Sequence, residues 1–521
     1  MKMKSKKIRV SALLLSALLA FSACSGGGGG AAAQDDKYKD TLNIAVTAQP
    51  PTLDASLTAS TLSLTIAGNI FEQLITMNEN YQPTPELAES VDTSDDGLVY
   101  TFHLRKDVKF HNGQDFKADD AVASMNRWLE VSARPKALLG GSVFEKVDDY
   151  TVTMTVPKPT SDVLTIVATR TFFPTIMPKD VIEGAGEEGV KEYIGTGPYK
   201  LEEWKQDQYI HLKKYDGYKP VETASSAYSG KKEAATPNLY FYFVSDHATR
   251  IAGIKTGEYD VAESMPLENY DELAGESGLA LHSRPSGSLN AFFNTQDGLL
   301  ADVKYRQAIM AALDTKEIML ASFASEDHFT LAPGYMNINQ PQWAVTNGEE
   351  FYNQADPEKA KALLAELGYA GETITLLTTQ DYREMYSAII VIQEQLRQVG
   401  INAEVANFDF PTFMEKKADH SKWDIFVTSN GYNIIPAMIL AVNPSWAGFN
   451  APEVAGYLDA IRGAADDAGA KAKWSELQQF MYEYGSSTAL GHYKTLMATT
   501  DKVEGFVYFD QPIYWNAKVA K

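Results

Sequence analysis

Apolar and polar residues alternate with two different periods along the chain, and these periods predict its strands and helices. In LVYTFHLRKDVKF, residues 98–110, the alternation through Leu104 has the period of a half-buried strand. In STLSLTIAGNIFEQLI, residues 60–75, apolar residues recur at helical spacing. The same patterns predict a helix over 117–130 and strands in the segments 40–46, 149–156 and 195–204.

From about residue 285 strands and helices follow one another closely. TITLLTT (373–379) predicts a strand, REMYSAIIVIQEQLRQVG (383–400) a helix and INAEVANF (401–408) a strand, which together form a βαβ unit. The remaining predictions are strands over 288–295 and 423–429, short strands in the tail 503–516, helices over 301–319 and 356–369, and an exposed loop over 224–235. The chain is therefore predicted to be of the α/β class.

The N-terminus has the pattern of a secretory signal peptide. A basic start is followed by an apolar run over 10–23 and by small residues just ahead of Cys24. About 14 apolar residues are fewer than the roughly 20 that a membrane-spanning helix needs. A retained N-terminal anchor helix is the alternative. We expect residues 1–23 to be removed.

Cys24 is the one cysteine of the 521 residues, so it has no partner for an internal disulfide. The segment FSAC around it resembles the bacterial lipobox, whose cysteine becomes the lipid-modified first residue of the mature protein. Residues 24–36 are Gly, Ala and polar residues, which predict a flexible tether. We therefore expect lipidation at Cys24 and an extracytoplasmic body anchored to the cell membrane, on its outer face or on the periplasmic side.

Composition describes the body that follows the tether. Hydrophobic residues make up 45% of the chain and charged residues 22%, as in ordinary globular proteins. The length predicts two or three lobes, because it exceeds what one core usually holds. Loss of the leader's five cationic residues changes the formal net charge from −22 to −27. Such a surface repels nucleic acid, so we expect no nucleic-acid partner.

Motifs of catalysis are missing from the sequence. The eight histidines show no metal-ligand spacing, and neither a GxSxG nor a P-loop pattern occurs. We therefore expect no cofactor, no metal site and no enzymatic activity, although a hydrolase with scattered paired carboxylates stays open. The 27 Tyr, 23 Phe and 7 Trp residues, several beside turns, suit a mostly apolar cleft between lobes, and packing in cores is the alternative for each of them.

Several ordered blocks together resemble the bacterial family 5 extracellular solute-binding proteins, the peptide, nickel and opine group that serves ABC importers. The blocks are the segment 69–122, IGTGPYKLEEW, RIAGIKTGEYDVA, FFNTQDGLLADVKYRQAIMAALD and DPEKAKALLAELGY. The resemblance implies a monomer with a two-lobe periplasmic-binding-protein-like fold (type II, cluster C like) and an extra subdomain in the first lobe. It implies a small solute, such as a peptide, an opine or a sugar-like compound, and permease subunits as partners. A surface hydrolase or a sensory binding protein on the same fold is the alternative.

The resemblance also places the lobes and the ligand contacts. The first lobe is expected over 37–284 with an inserted subdomain at about 60–190, the second over 285–492, and a return to the first over 493–521. Hinge crossings are expected near 283–288 and 491–495. The candidate ligand contacts are Thr47, Gln49, Asn290, Phe292, Tyr335, Asp381, Arg383, Asn430, Tyr432, Asn433 and Trp446.

One ligand-facing loop departs from the pattern of the peptide-binding members of that family. They typically carry an Asp there, which pairs with the free amino group of the peptide, whereas this chain reads NGYNIIPAMIL and has no acid. A buried ammonium without a counter-charge is costly, so we expect a neutral or blocked group beside Asn433. The alternative is an acid from elsewhere, such as Asp381 or Asp409.

Overall fold

Strands and helices alternate through residues 37–186 and 188–521, which are the residues described by the computed structural model. The predictions for the leader, Cys24 and the tether fall on residues 1–36 and lie outside the described residues. Tyr38–Lys521 forms one compact unit.

The strands are β1 (Thr41–Val46), β2 (Ile75–Met77), β3 (Pro83–Pro85), β4 (Ala88–Thr93), β5 (Val99–Leu104), β6 (Val143–Asp148), β7 (Thr151–Thr155), β8 (Tyr199–Lys205), β9 (Tyr209–Lys214), β10 (Asn238–Phe243), β11 (Val261–Met265), β12 (Leu279–Phe293), β13 (Phe329–Thr330), β14 (Thr373–Thr379), β15 (Asn402–Phe408), β16 (Ile425–Gly431), β17 (Ser487–Thr500), β18 (Val503–Glu504), β19 (Val507–Tyr508), β20 (Pro512–Ile513) and β21 (Lys518–Val519).

The helices are α1 (Thr61–Ile70), α2 (Ala118–Val131), α3 (Ala133–Leu138), α4 (Val163–Val167), α5 (Lys179–Glu183), α6 (His247–Thr256), α7 (Tyr270–Ala274), α8 (Val303–Ala312), α9 (Thr315–Phe323), α10 (Pro357–Leu367), α11 (Arg383–Gln398), α12 (Phe410–Ala418), α13 (Pro444–Ala447), α14 (Glu453–Arg462) and α15 (Asp467–Tyr484).

A long mixed sheet runs through the molecule in the order β15-β14-β16-β12-β17-β11-β1-β10-β9-β8. The long strands β12 and β17 lie at its middle and pair antiparallel along almost their whole length. On one side β17 pairs with β11 through residues 496–499, and on the other β12 pairs with β16 through 287–293. The two strands therefore link the two halves of the sheet.

The change of partners falls where two backbones approach each other closely. The register between β12 and β17 shifts between Pro285 and Gly287, and pairing of β12 with β16 begins at Gly287. A Cβ atom on Gly287 would lie 2.1 Å from the carbonyl oxygen of Asn430, so only glycine permits this approach. The crossing lies within the segment 283–288 in which a hinge was predicted.

The second half of the sheet carries the predicted βαβ unit. β14 and β15 pair in parallel, and α11 buries Ala388, Ile389, Ile392 and Leu396 on one face against them. α10 begins as its sequence indicates: Asp356 accepts a hydrogen bond from the backbone N–H of Lys359, and Pro357 lies in the first turn.

Two predicted helices have different bounds in the structure. The helix predicted over 301–319 is divided into α8 and α9, because Asp314 accepts a hydrogen bond from the backbone N–H of Glu317 and begins a new helix. The helix predicted over 60–75 ends at Ile70, whose carbonyl accepts a hydrogen bond from the backbone N–H of Gly197.

A separate antiparallel sheet, β4-β5-β7-β6, forms within the region predicted as the inserted subdomain. The sequence predicted an exposed loop over 224–235, but part of this loop is buried in the structure. Tyr228 and Lys232 are buried. Lys232 forms an ion pair with Glu86, and Tyr228 packs on the guanidinium of Arg170. This loop thereby supports the site described next.

Candidate functional site

A cavity of about 460 Å³ lies where β12 and β17 pass between the two halves of the sheet. Both strands contribute to its wall, through Arg284 and Ser286 on β12 and Tyr493 and Thr495 on β17. The other lining residues are Thr61, Arg134, 169–171, Glu263, Ser264, 431–434, Met438, Met497, Tyr508 and 510–512. Residues from both halves of the sheet and from the C-terminal tail thus line one space.

The loop that follows β16 forms the second-lobe wall. Its backbone is fixed at Ile434, whose carbonyl accepts hydrogen bonds from the Gln340 amide and the Trp343 indole, both at 2.9 Å. The Tyr432 hydroxyl forms a hydrogen bond of 2.8 Å with Nδ1 of His492. Burial lowers the pKa of His492 to about 4, so its ring is neutral at physiological pH.

Arg134 enters the cavity from α3 and reaches across to this loop. Its Nη1 donates a hydrogen bond to Oδ1 of Asn433, and this bond joins the first lobe to the second. Burial lowers the pKa of Arg134, because an enclosed guanidinium loses hydration. Among the described residues, none offers Arg134 a carboxylate within ion-pair distance.

Arg170 is held rigidly on the first-lobe side. Its guanidinium lies 4.2 Å from the ring centroid of Phe173 and 4.8 Å from that of Tyr228. Its Nη1 donates to Oε1 of Gln73 at 3.1 Å, and its buried Nε has no hydrogen-bond partner within the described chain. A Cβ atom on Gly68 would lie 2.0 Å from Nη2 of Arg170, so glycine leaves the room that this side chain occupies.

Arg284, in contrast, has a carboxylate partner. Its Nη1 lies 3.5 Å from Oδ1 of Asp510, its Nη2 donates to the Asp510 carbonyl, and its guanidinium packs on the Tyr508 ring. Tyr81 donates a further hydrogen bond of 2.9 Å to Oδ1 of Asp510. Burial raises the pKa of Asp510, while Arg284 opposes that rise.

Glu263 is the other acid in the wall. Burial raises the pKa of its carboxyl to about 7, against a smaller lowering by a hydrogen bond from Tyr514 and by the charge of Arg250. The cavity wall therefore holds three arginines and two acids, Asp510 and Glu263, and burial raises the pKa of both acids. The described residues contain no group of three His, Cys, Asp or Glu side chains that could hold a metal ion.

The sequence matches the family described as bacterial extracellular solute-binding proteins, family 5 Middle, over residues 82–448. This chain belongs to that family.

Relatives and solved structures extend the likeness of this solute-binding protein to nearly the whole chain. It is 27% identical over 492 residues to a probable peptide ABC transporter periplasmic-binding protein of Sinorhizobium fredii, covering 90% of this chain and 91% of the relative. It is 29% identical over 378 residues to the glutathione-binding protein GsiB of Shigella flexneri, covering 70% of this chain and 69% of the relative.

Among solved structures it resembles NikA of Brucella suis in complex with Fe(III)-EDTA, with a TM-score of 0.80, 21% identity and coverage of 92% and 100% of the two chains. It also resembles the oligopeptide-binding protein AppA of Bacillus subtilis in complex with a nonapeptide, with a TM-score of 0.73, 21% identity and coverage of 92% and 99%. These likenesses confirm the predicted two-lobe periplasmic-binding-protein fold.

Two of the predicted contact residues of this family 5 protein, Tyr432 and Asn433, line the cavity, and Asn430 lies just before them at the end of β16. The loop has no acid, as its sequence shows, yet the cavity does contain acids. They are Asp510 from the tail and Glu263 from β11, rather than the suggested Asp381 or Asp409.

The other predicted contacts do not line the cavity. Gln49 accepts a hydrogen bond from the backbone N–H of Asp207, and Thr47 follows the end of β1. Asp381 accepts from the backbone N–H of Phe410, and Arg383, with 76% of its side chain exposed, faces Glu268 at 3.8 Å. The geometry gives no support to a ligand role for them.

The remaining predicted contacts are packed in the interior. Asn290 donates a hydrogen bond of 2.8 Å to the Ser288 hydroxyl, and the Tyr335 hydroxyl donates to the carbonyl of Ser487. Phe292 stacks on Phe426, with Trp446 at its edge. Aromatic residues beside turns can face a cleft or pack in a core, and these three belong to the hydrophobic interior.

The arginines and the tail residues of the site were missed by sequence reasoning. Arg134, Arg170, Arg284 and Asp510 lie far apart in sequence, and no motif marks any of them. The composition offered one signal, because the chain has 46 cationic and 68 acidic residues. In so acidic a chain, arginines that line a cavity are unusual.

Proposed function

We propose that this protein captures a solute, an oligopeptide or a related compound, in the cavity between its lobes and delivers it to the permease of an ABC importer. The observation that carries the proposal is that both halves of the sheet, the long strands β12 and β17 and the C-terminal tail line one cavity. The similarity to a probable peptide-binding protein and to a glutathione-binding protein supports a peptide-like solute.

Closure of the lobes around the solute is the proposed mechanism. The hinges are the crossings at 283–288 and 491–495, with lobes at 37–284 and 285–492, an insert at about 60–190 and the returning tail 493–521. Rotation about two strands brings such lobes together, and solute contacts with both walls favour the closed form.

The site of action follows from the family and from the N-terminal sequence. Family members are extracellular solute-binding proteins, and none of the helices in the described part of the chain is long and apolar enough to span a bilayer. We propose that acyl chains on Cys24 hold a monomer at the membrane through the tether 24–36. Cys24→Ala should then abolish acylation, and a variant that is still acylated and processed would exclude this anchor.

Filling the cavity tests the capture function. Ser286→Trp places a large ring inside the lining, and Asp95→Trp places the same ring on an exposed turn. We expect wild type and Asp95→Trp to bind members of a peptide panel and to become more compact by X-ray scattering, and Ser286→Trp to do neither. Equal binding by both variants, or no compaction of the wild type with bound peptide, would contradict the proposal.

A further inference from the structure

The cavity has a charge opposite to that of the protein around it. The chain has a formal net charge of −22, yet the wall contains Arg134, Arg170 and Arg284. Asp510 neutralises Arg284, and Glu263 is half neutral near pH 7 because burial raises its pKa to about 7. Two arginines are therefore left without a counter-charge of their own.

Arg134 keeps most of its hydrogen-bonding capacity free. A guanidinium carries five N–H donors, and among the described residues the acceptor of Arg134 is the neutral amide oxygen of Asn433. Burial of a cation is costly unless an anion pairs with it. Within the described chain no carboxylate approaches Arg134 closely enough to supply that pairing.

Arg170 also has no carboxylate partner of its own among the described residues, and its side chain is held more rigidly than that of Arg134. Two aromatic rings and the Gln73 amide fix its guanidinium, while its buried Nε has no acceptor among the described residues. The nearest acid that acts on it is Glu86, which is itself paired with Lys232. A fixed guanidinium loses little conformational entropy when it binds a carboxylate in bidentate geometry.

We propose that the cavity selects solutes of net negative charge, whose carboxylates pair with Arg134 and Arg170. This inference rests on the proposed capture of a peptide-like solute in the same cavity. A solute without surplus acid leaves both guanidinium groups desolvated and unpaired, whereas an acidic one supplies the missing anion.

Three tripeptides that differ in one side chain test the inference on the wild-type protein. Ala-Glu-Ala, Ala-Gln-Ala and Ala-Lys-Ala have net charges of −1, 0 and +1 at neutral pH, and glutathione serves as a second acidic probe. We expect titration calorimetry to rank the affinities in that order, with at least a tenfold difference between the Glu and Lys peptides. Equal affinities, or tighter binding of the Lys peptide, would overturn the charge selection and leave the capture function intact.

Arg134→Gln and Arg383→Gln form a matched pair of variants, since each removes one positive charge. Arg134 lies in the cavity wall and Arg383 is an exposed residue outside it. We expect Arg134→Gln to weaken Ala-Glu-Ala binding about tenfold and Ala-Gln-Ala binding much less, and Arg383→Gln to retain the wild-type ranking. Loss of discrimination in both variants would overturn the site assignment. Failure of every probe to bind the wild type would count against peptide capture itself, and the inference would fall with it.

Discussion

Arg462 and Arg134 both connect the first lobe to the second, and their partners differ. Arg462, at the end of α14, forms a two-point ion pair with Asp162, with Nε 2.7 Å from Oδ2 and Nη2 3.2 Å from Oδ1. Its Nη2 also donates to the Leu138 carbonyl at 2.9 Å. Within the described part of the chain, Arg134 has the Asn433 amide oxygen as its one side-chain partner.

The difference separates a structural arginine from one suited to a ligand. The side chains of Arg462 and Asp162 are 12% and 8% exposed, and their charges neutralise each other without any solute. Arg134 is enclosed but unneutralised, so a solute can supply what the protein lacks. The Arg462–Asp162 pair needs no solute to neutralise its charges, whereas Arg134 gains a counter-charge when an acidic solute binds.

Breaking the structural pair should have the largest effect. Asp162→Asn leaves the Arg462 charge buried without its partner, which costs about 3–5 kcal/mol in comparable pairs. Because the pair joins the lobes, we expect the closed form to lose stability and the affinity for Ala-Glu-Ala to fall by roughly 100-fold. Asp459→Asn is the matched control, since its pair with Lys158 is exposed. Similar losses of affinity in both variants would show that the buried Arg462–Asp162 pair contributes no more than the exposed Lys158–Asp459 pair.

Converting Arg134 into a paired arginine should have the next largest effect. Asn433→Asp places a carboxylate on the guanidinium and removes its need for a solute anion. We expect Ala-Glu-Ala to bind about tenfold more weakly, a change of about 1.4 kcal/mol, while the solute-free protein becomes more resistant to heat. Asn443→Asp changes the same residue type outside the cavity lining and should leave the affinity unchanged. Undiminished binding by Asn433→Asp would contradict the contrast between the two arginines.

A pH titration should give a smaller, several-fold effect through Glu263. Its pKa is raised from 4.5 to about 7 by burial, so the neutral acid is the form that the fold favours. Its contribution to stability is fully present below pH 4.5 and is lost as the pH rises through about 7. Above about pH 7 the ionised carboxylate of Glu263 also repels an acidic solute. The affinity for Ala-Glu-Ala should therefore fall between about pH 6 and 8. Glu263→Gln should flatten both profiles, and unchanged slopes would show that another group is responsible.

The exposed inter-lobe pair should matter least. Arg383 faces Glu268 at 3.8 Å, and both side chains are mostly in solvent. Exposed pairs of this kind contribute about 0–1 kcal/mol. Arg383→Ala should therefore change the affinity by no more than about twofold under physiological salt, as measured by calorimetry. A loss as large as that of Asp162→Asn would mean that burial is not what distinguishes the lobe contacts.

Much of the fold was predictable because its signals are local. The alternation in 98–104, the helical stripe in 383–398 and the Asp-Pro start of α10 each fix an element through neighbours in sequence. The division at Asp314 is also a local capping effect, but the apolar face continues through it and hid the break.

The site was predictable only where one segment forms it. Tyr432 and Asn433 come from the loop after a predicted strand, and both line the cavity. Arg134, Arg170 and Asp510 come together only in the tertiary fold. No local spacing in the sequence therefore predicts that they line one cavity. Phe292 and Tyr335 pack in the core, and the sequence could not decide this because an aromatic residue beside a turn suits a cleft or a core equally well.

A crystal structure of the protein with the solute that it retains through gentle purification tests the central claim most directly. We predict electron density for the solute in the cavity between β12, β17 and the loop 431–434. An acidic group of the solute should lie within hydrogen-bonding distance of Arg134 or Arg170. A solute bound outside this cavity, or one that presents only neutral or cationic groups to these two arginines, would contradict it.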